Sequence, residues 1–242
     1  YALSREGARI IISSDVPDEL ARVKDRCIDL DAECHILEFD LAKPEDVRKA
    51  AQTIIEKFGT VDIFFSNGGI GQRSLVTETP VEIDRKIMEI NFFSGIIITK
   101  TLLPQMIKNG GGHIVATASI AGDFGFPLRS AYCSSKHAVY GFYETVRVEL
   151  KDRNIHVTIV SPGSVQTSIS VHALDKNGKQ HGKMDKGQAE GISPERCAKK
   201  ILKAVRKNKT IAYIGGKELF MVWLKRFFPR IFYKIVLKIN PT

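Results

Sequence analysis

Short β-branched and aromatic runs alternate along this chain with longer stretches whose apolar positions return every three or four residues. Runs such as Ile10-Ile11-Ile12 and Val157-Thr158-Ile159-Val160 are almost continuous in strand-forming side chains, the signature of parallel strands covered on both faces. The pattern predicts strands near 9–13, 34–39, 61–66, 112–118, 155–160 and 210–214. Helices are expected near 17–30, 44–58, 80–108, 130–152 and 194–207, several opened by proline, as in Pro44-Glu45-Asp46. Proline suits that first turn because its fixed φ is already helical and no partner is needed for the missing N–H. Such a βα succession predicts an α/β domain with a doubly wound parallel sheet, and 242 residues suit one domain better than two.

Two stretches depart from the rhythm. Residues 168–192 are polar, rich in Gly and Lys, and long for a connection, which reads as a mobile lid or as a plain surface loop. The opening Ser4-Arg5-Glu6-Gly7-Ala8 reads as a helix end stopped by Gly7. A doubly wound sheet needs a strand and a Gly-rich turn before that helix, and neither is in the sequence. Without that strand the sheet would split and leave two inner edges unpaired, so roughly 25–35 residues are expected upstream of Tyr1 in the natural protein.

Composition changes the picture at one end only. The net charge is +9, yet from Lys199 to Lys238 twelve basic residues face Glu218 alone, so +9 less +11 leaves the body near −2. A charge gathered at one end argues for a docking surface, and with no recognisable recognition module no nucleic-acid partner is expected. The basic tail continues in Lys217–Phe228, and beyond Pro229 it places Arg230, Lys234 and Lys238 in step with Arg226. Beside that stripe lie Phe227, Phe228, Ile231, Phe232, Ile235 and Ile239. We therefore divide the chain into a domain over 1–216 and a basic, apolar helical extension over 217–242, with Pro229 starting a second helix or kinking the first. Such a segment suits peripheral contact with an anionic membrane; packing on its own domain or on a second subunit is the open alternative.

Cys27, Cys34, Cys133 and Cys197 show no disulfide spacing, which points to a reducing, cytoplasmic setting, and no metal site is expected. No apolar run reaches membrane-spanning length in this reading, and no secretory signal opens the chain.

The chemistry gathers around Tyr132-Cys133-Ser134-Ser135-Lys136, where a spacing of four puts a phenol and an ammonium on one helical face. A nearby cation favours phenolate, so Lys136 is expected to draw the Tyr132 pKa toward neutrality. Taken alone, the pair is commonplace. Upstream, His113–Ser119 is a strand ending in a hydroxyl; downstream, Ile155–Val160 is a strand followed by Ser161-Pro162-Gly163. Ligands of a parallel sheet collect at such carboxyl ends, so Ser119 and Tyr132 should share one crevice.

A strand-end Ser, Tyr-x-x-x-Lys thirteen residues later, and Pro-Gly after the next strand together resemble the short-chain dehydrogenase/reductase family, a Rossmann-like fold. The resemblance runs from about Ala8 to Gly215. Ser66-Asn67-Gly68-Gly69 is similar to the family's Asn-Asn-Ala-Gly turn, with Ser66 and Gly68 as departures. The extension feels closest to the hydroxysteroid-dehydrogenase-like branch and to the branch of dehydrogenase/reductase member 7.

That resemblance implies catalytic roles for Asn91, Ser119, Tyr132 and Lys136. Tyr132 would exchange a proton with the substrate oxygen, Ser119 would hold that oxygen, Lys136 would bind the nicotinamide ribose, and Asn91 would support a water relay. The plainer role for Asn91 is a helix-kinking side chain bonded to backbone. Cofactor contacts are implied for Ser14, Asp15, Asp40, Leu41, Asn67, Gly68, Gly69, Pro162, Gly163, Val165 and Thr167, besides Tyr132 and Lys136. Turn formation explains Asp40, Asn67 and Pro162 equally well one at a time. The cofactor would be NAD or NADP; Asp15, which would repel a 2′-phosphate, leans toward NAD. The implied activity is interconversion of a carbonyl and an alcohol on a hydrophobic (steroid, retinoid or lipid-like) or small substrate, in a homodimer or homotetramer. A catalytically silent binding or scaffold protein on the same fold is the competing reading.

Overall fold

A computed structural model gives the fold, and it describes residues 1–239. Six strands form: β1 (Ile10–Ser14), β2 (Cys34–Glu38), β3 (Ile63–Ser66), β4 (Gly112–Thr117), β5 (Ile155–Pro162) and β6 (Ile211–Ile214). Nine α-helices accompany them among the described residues: α1 (Pro17–Ile28), α2 (Pro44–Phe58), α3 (Val81–Met88), α4 (Ser94–Lys108), α5 (Ser130–Glu149), the short α6 (Lys186–Ala189), α7 (Pro194–Arg206), α8 (Phe220–Phe227) and α9 (Pro229–Val236). Each strand and helix expected from the sequence is present, with ends shifted by a few residues, where fraying is expected.

Local chemistry sets the boundaries. Pro17, Pro44, Pro194 and Pro229 all lie in the first turn of their helices. Pro229 thus opens a second helix instead of kinking the first. α2 ends at Gly59, whose φ of 77° few side chains would tolerate.

All strand pairs are parallel. The order is β1-β2 in one sheet and β3-β4-β5-β6 in another, with no hydrogen-bonded ladder between them. The split falls where the doubly wound order puts one more strand, as expected. The gap is bounded by Ile11–Asp15 of the first sheet and Phe64–Ile70 of the second.

β5 is the innermost strand, buried from Val157 to Ser161. One face of the larger sheet packs Ile114, Ala116, Val157 and Ile159 against Val47 and Ala51 of α2, Ile98, Leu102 and Met106 of α4, and Val139, Tyr143 and Val146 of α5. The other face packs Val115, Val160, Ala212 and Ile214 against Cys197, Ala204 and Val205 of α7.

α3 and α4 join through a π-helical turn, Glu89–Phe93, into one helix of 28 residues from Val81 to Lys108 with a mean hydropathy of 1.2 in its most apolar window. By length and composition it is able to cross a membrane, which corrects the expectation that no run reaches that length. Ile98, Leu102 and Met106 nevertheless put it in the core. Polar positions in α3, broken up by Ile83 and Ile87, hid the run from a reading of the sequence.

Candidate active site

The helix carrying Tyr132 and Lys136 begins against the tip of β4. The Lys136 ammonium donates to the Thr117 carbonyl at 2.9 Å and lies 5.8 Å from the centre of the Tyr132 ring, one turn away on the same face. Ser119, which stands just past the end of β4, is close enough to Tyr132 to act on its phenol. Ser119 Oγ also accepts from Ala121 N at 3.2 Å and donates to the Pro162 carbonyl at 3.4 Å, tying the ends of β4 and β5 together.

Asn91 occupies the π-helical turn, where the extra residue pushes its side chain out of the helical register. Its Oδ1 accepts from Ile70 N at 2.7 Å, while Nδ2 donates to the Ile70 carbonyl at 3.0 Å and to Ser135 Oγ at 3.0 Å. Ser135 Oγ in turn donates to the Tyr132 carbonyl at 2.8 Å. Asn91 is thus tied through Ser135 to the backbone of Tyr132, and Lys136 follows one turn further along α5. Asn91 has the backbone-bonding role that the plainer reading gave it.

Electrostatics in the group differ from expectation in one respect. Burial pushes the Tyr132 phenol above its usual value; the nearby Ser119 hydroxyl and the charges of Arg129 and Arg73 pull it back. Lys136, expected to supply that pull, is itself desolvated, and its pKa falls to about 8. Its ammonium is turned to the Thr117 carbonyl.

Ser14, Asp15, Asp40, Leu41, Asn67, Gly68 and Gly69 line the cleft between the sheets. Asp40 Oδ1 accepts from Ala42 N at 2.8 Å, so it builds its own turn. Asn67 Oδ1 accepts from the Thr117 hydroxyl at 3.0 Å. At Gly68 a β-carbon would collide with Leu41, and at Gly69 it would stand 3.2 Å from Asn91 Oδ1 and 3.5 Å from the Lys136 ammonium. Glycine therefore keeps an open floor beside the amine. Exposed Asn67, Gly68 and Gly69 with an amine below them fit one wall of a nicotinamide dinucleotide site.

Pro162, Gly163, Val165 and Thr167 form the loop after β5. Gly163 N donates to the Ile214 carbonyl at 2.9 Å, and Val165 pairs with Ile192 in a parallel bridge. Gln188 of α6 donates to both the Val165 carbonyl and Thr167 Oγ1. The 168–192 segment is thus no loose surface loop: Ser170, Ala173, Leu174 and Asp185 are buried in it.

Residues the sequence reading passed over complete the site. Gln72 is fully buried, and its Oε1 accepts from Ala131 N at 2.8 Å and Tyr132 N at 3.4 Å at the start of α5. Its Nε2 donates to the hydroxyls of Ser74, Thr79 and Ser130. Next to it, Arg73 and Arg129 both pair with Asp185 of the 168–192 segment. No local signal marks these partners, which lie 56 to 112 residues apart.

The model of the short chain dehydrogenase family matches residues 1–178. This chain belongs to the short-chain dehydrogenase/reductase family. Within it, the chain is 41% identical over 202 residues to a rat protein named dehydrogenase/reductase SDR family member 7B, covering 83% of this chain and 62% of that one. A fruit-fly dehydrogenase/reductase SDR family protein 7-like is 36% identical over 243 residues, covering 98% of this chain and 74% of that one. These place it in the member 7 branch of this oxidoreductase family. The chain spans about three-fifths of the length of the rat relative, 62%. Among solved structures, a short-chain dehydrogenase/reductase from Burkholderia phymatum in complex with NAD superposes with a TM-score of 0.81, at 22% identity, over 99% of this chain and 89% of that one. It shares the fold.

Proposed function

We propose that this chain carries out nicotinamide-dependent interconversion of a carbonyl and an alcohol, with Asn91, Ser119, Tyr132 and Lys136 as its catalytic group. The observation that carries the reading is that Ser119, at the tip of β4, lies close enough to Tyr132 to act on its phenol, with the Lys136 ammonium one turn away and 5.8 Å from the ring centre. Bound NAD or NADP would supply or accept the hydride. In reduction, Tyr132 gives its phenolic proton to the carbonyl oxygen, and in oxidation it takes the proton back. Ser119 fixes that oxygen and stabilises charge as it develops. Lys136 would hold the ribose hydroxyls, and Asn91, joined to Tyr132 through Ser135, would support a water relay. Val165 and Thr167 would steady the carboxamide. Exposed Asp15 at the rim of the cleft favours NAD.

The apolar C-terminal extension, which packs on Ile120, Phe124 and Phe126 just past Ser119, favours a hydrophobic steroid, retinoid or lipid-like substrate. The test is a panel of aldehydes, ketones, steroids and retinoids with both cofactors, followed by nicotinamide absorbance, on wild type and Tyr132→Phe. Turnover of a good substrate that survives Tyr132→Phe overturns the assignment. Absence of turnover together with absence of cofactor binding favours a silent scaffold.

The reading extends to peripheral contact with an anionic membrane through 217–242, in a homodimer or homotetramer. Leu224, Phe232 and Val236 face inward onto Phe124, yet the outer surface is apolar too. Phe220, Trp223, Phe227 and Phe228 are exposed and touch ring to ring around Trp223. Exposed Lys217, Arg226, Arg230, Lys234 and Lys238 flank them without an ion pair among the described residues. Aromatic rings amid unbalanced positive charge suit an anionic headgroup layer, whereas two copies meeting there would repel. Sedimentation with phosphatidylserine-containing vesicles should fail for Trp223→Ser combined with Phe227→Ser. Equal sedimentation of that variant rejects the membrane contact.

A further inference from the structure

The Glu218 carboxylate sits in a cradle of three glycines from two strand ends. Its Oε1 accepts from Ser164 N and from Gly216 N, each at 2.9 Å. A β-carbon on Gly163 or on Gly215 would collide with the same oxygen, and one on Gly216 would come within 3.1 Å of Oε2. So close a fit is open only to glycine, and it brings the carboxylate onto the backbone where the loop Pro162–Thr167 leaves β5. Glu218 is the one acid in the basic tail, and among the described residues no cation pairs with it. Backbone N–H groups satisfy it instead.

The tie matters because of what the loop does next. Gly163 N is fixed to the Ile214 carbonyl on one side of the cradle, and the Pro162 carbonyl accepts from Ser119 Oγ on the other. From Ser164 the chain runs directly into Val165 and Thr167. Glu218 also lies in the turn Lys217–Leu219 that leads into α8, whose Lys225 donates to the Asp123 carbonyl. Asp123 in turn accepts from the phenols of Tyr140 and Tyr213. The tail is therefore anchored to both loops that flank Tyr132.

We infer that Glu218 is a positioning residue for the cofactor: its carboxylate holds the Gly163–Thr167 loop in the conformation that receives the nicotinamide end, so that the C-terminal extension is a working part of the cofactor site. This rests on the nicotinamide reading of the site. A charge-assisted bond to an N–H is stronger than a neutral one, so its loss should be felt in binding.

The test compares wild type, Glu218→Gln and Glu218→Ala. Two quantities are read: NAD and NADP affinity by titration calorimetry, and hydrogen exchange at the Ser164 and Gly216 amides without cofactor. Glu218→Gln keeps a carbonyl oxygen in the cradle and should retain protection, with affinity within a few-fold of wild type. Glu218→Ala should speed exchange at both amides and weaken cofactor binding roughly tenfold, with the thermal midpoint of the free protein changed no more than in the Gln variant. Unchanged exchange in Glu218→Ala overturns the tie, and faster exchange with unchanged affinity overturns its role toward the cofactor. A wild type that binds neither nucleotide instead removes the cofactor reading on which the inference stands, and with it this role, while the exchange measurement still reports on the tie.

Discussion

Lys136 and Thr117 meet at the mouth of the site: the ammonium, 3% exposed, donates to the strand-end carbonyl at 2.9 Å, and among the described hydrogen bonds that is its only one. A primary amine has three protons to give, and two of these are left for a ligand. The arrangement holds charge in a dry place for use, at a cost to the fold.

That cost yields a measurable prediction. An unfolded lysine keeps its proton to about pH 10.5, while burial makes the folded one release it near 8. Between those values the unfolded state binds more protons, so this group raises stability as pH rises through the window and penalises the fold below it. Lys136→Met should therefore stabilise the protein at pH 7 by roughly 1–3 kcal/mol, after the lost Thr117 bond is counted, while turnover disappears. Urea midpoints at pH 7 and 10 check it: a variant less stable than wild type at pH 7 contradicts the prediction. Activity that needs the charged amine should also fall as pH passes about 8.

His113 works in the opposite pH range. Buried on β4, its Nε2 is 2.9 Å from Thr158 Oγ1, and burial, then His156, lowers its pKa to about 4. The unfolded chain takes up a proton near 6.5 and the folded one does not, so stability is full above 6.5 and drains as pH falls toward 4. By pH 5 the loss from this group should be about 2 kcal/mol. His113→Gln should flatten that part of the acid limb in chemical denaturation; a limb of unchanged slope assigns acid sensitivity to other groups.

What the sequence made legible was local. Proline at helix starts, apolar strand runs and the four-residue step from Tyr132 to Lys136 all act within one turn or one strand, so spacing alone exposes them. The split sheet followed from strand order. Gln72, Arg73, Asp185 and Glu218 were invisible because each acts on a partner more than 50 residues away, and a polar residue in a loop looks the same whether it is solvated or buried. Desolvation was hidden for a related reason: proximity along a helix says nothing about what burial does to Tyr132 or to Lys136.

Asp185 joins the 168–192 segment to the catalytic neighbourhood through Arg73 and Arg129, whose side chains are 6% and 13% exposed. Removing one member of a buried ion cluster leaves charge without compensation, commonly at about 3–5 kcal/mol. Asp185→Asn should loosen the segment before it unfolds the domain, seen as earlier proteolysis and faster hydrogen exchange at Ala173, Leu174 and Asp185. With the segment loosened, KM should rise more than kcat falls. Exchange confined to wild-type rates would mean the clamp is redundant.

Gln72 gives the sharpest separation between structure and chemistry. Its carbonyl caps two N–H groups at the start of the helix that carries Tyr132, while its amide spans three hydroxyls, all without exposure to water. Helix ends need such partners, and a missing cap costs about 1 kcal/mol. Gln72→Met preserves volume but strands the Ala131 and Tyr132 N–H groups and takes the amide donor from Ser130, while Ser74 and Thr79 keep each other. It should cost about 2–4 kcal/mol of stability and loosen the first turn of α5. Gln72→Glu keeps the acceptor at the positive end of the helix and lets the hydroxyls reorient to donate, so it should recover most of the loss. If Tyr132 is held through this cap, the Met variant shifts the alkaline limb of kcat and the Glu variant moves it back. Parallel loss of stability in both variants, with an unmoved pH profile, would make Gln72 a packing residue with no hand in placing the phenol.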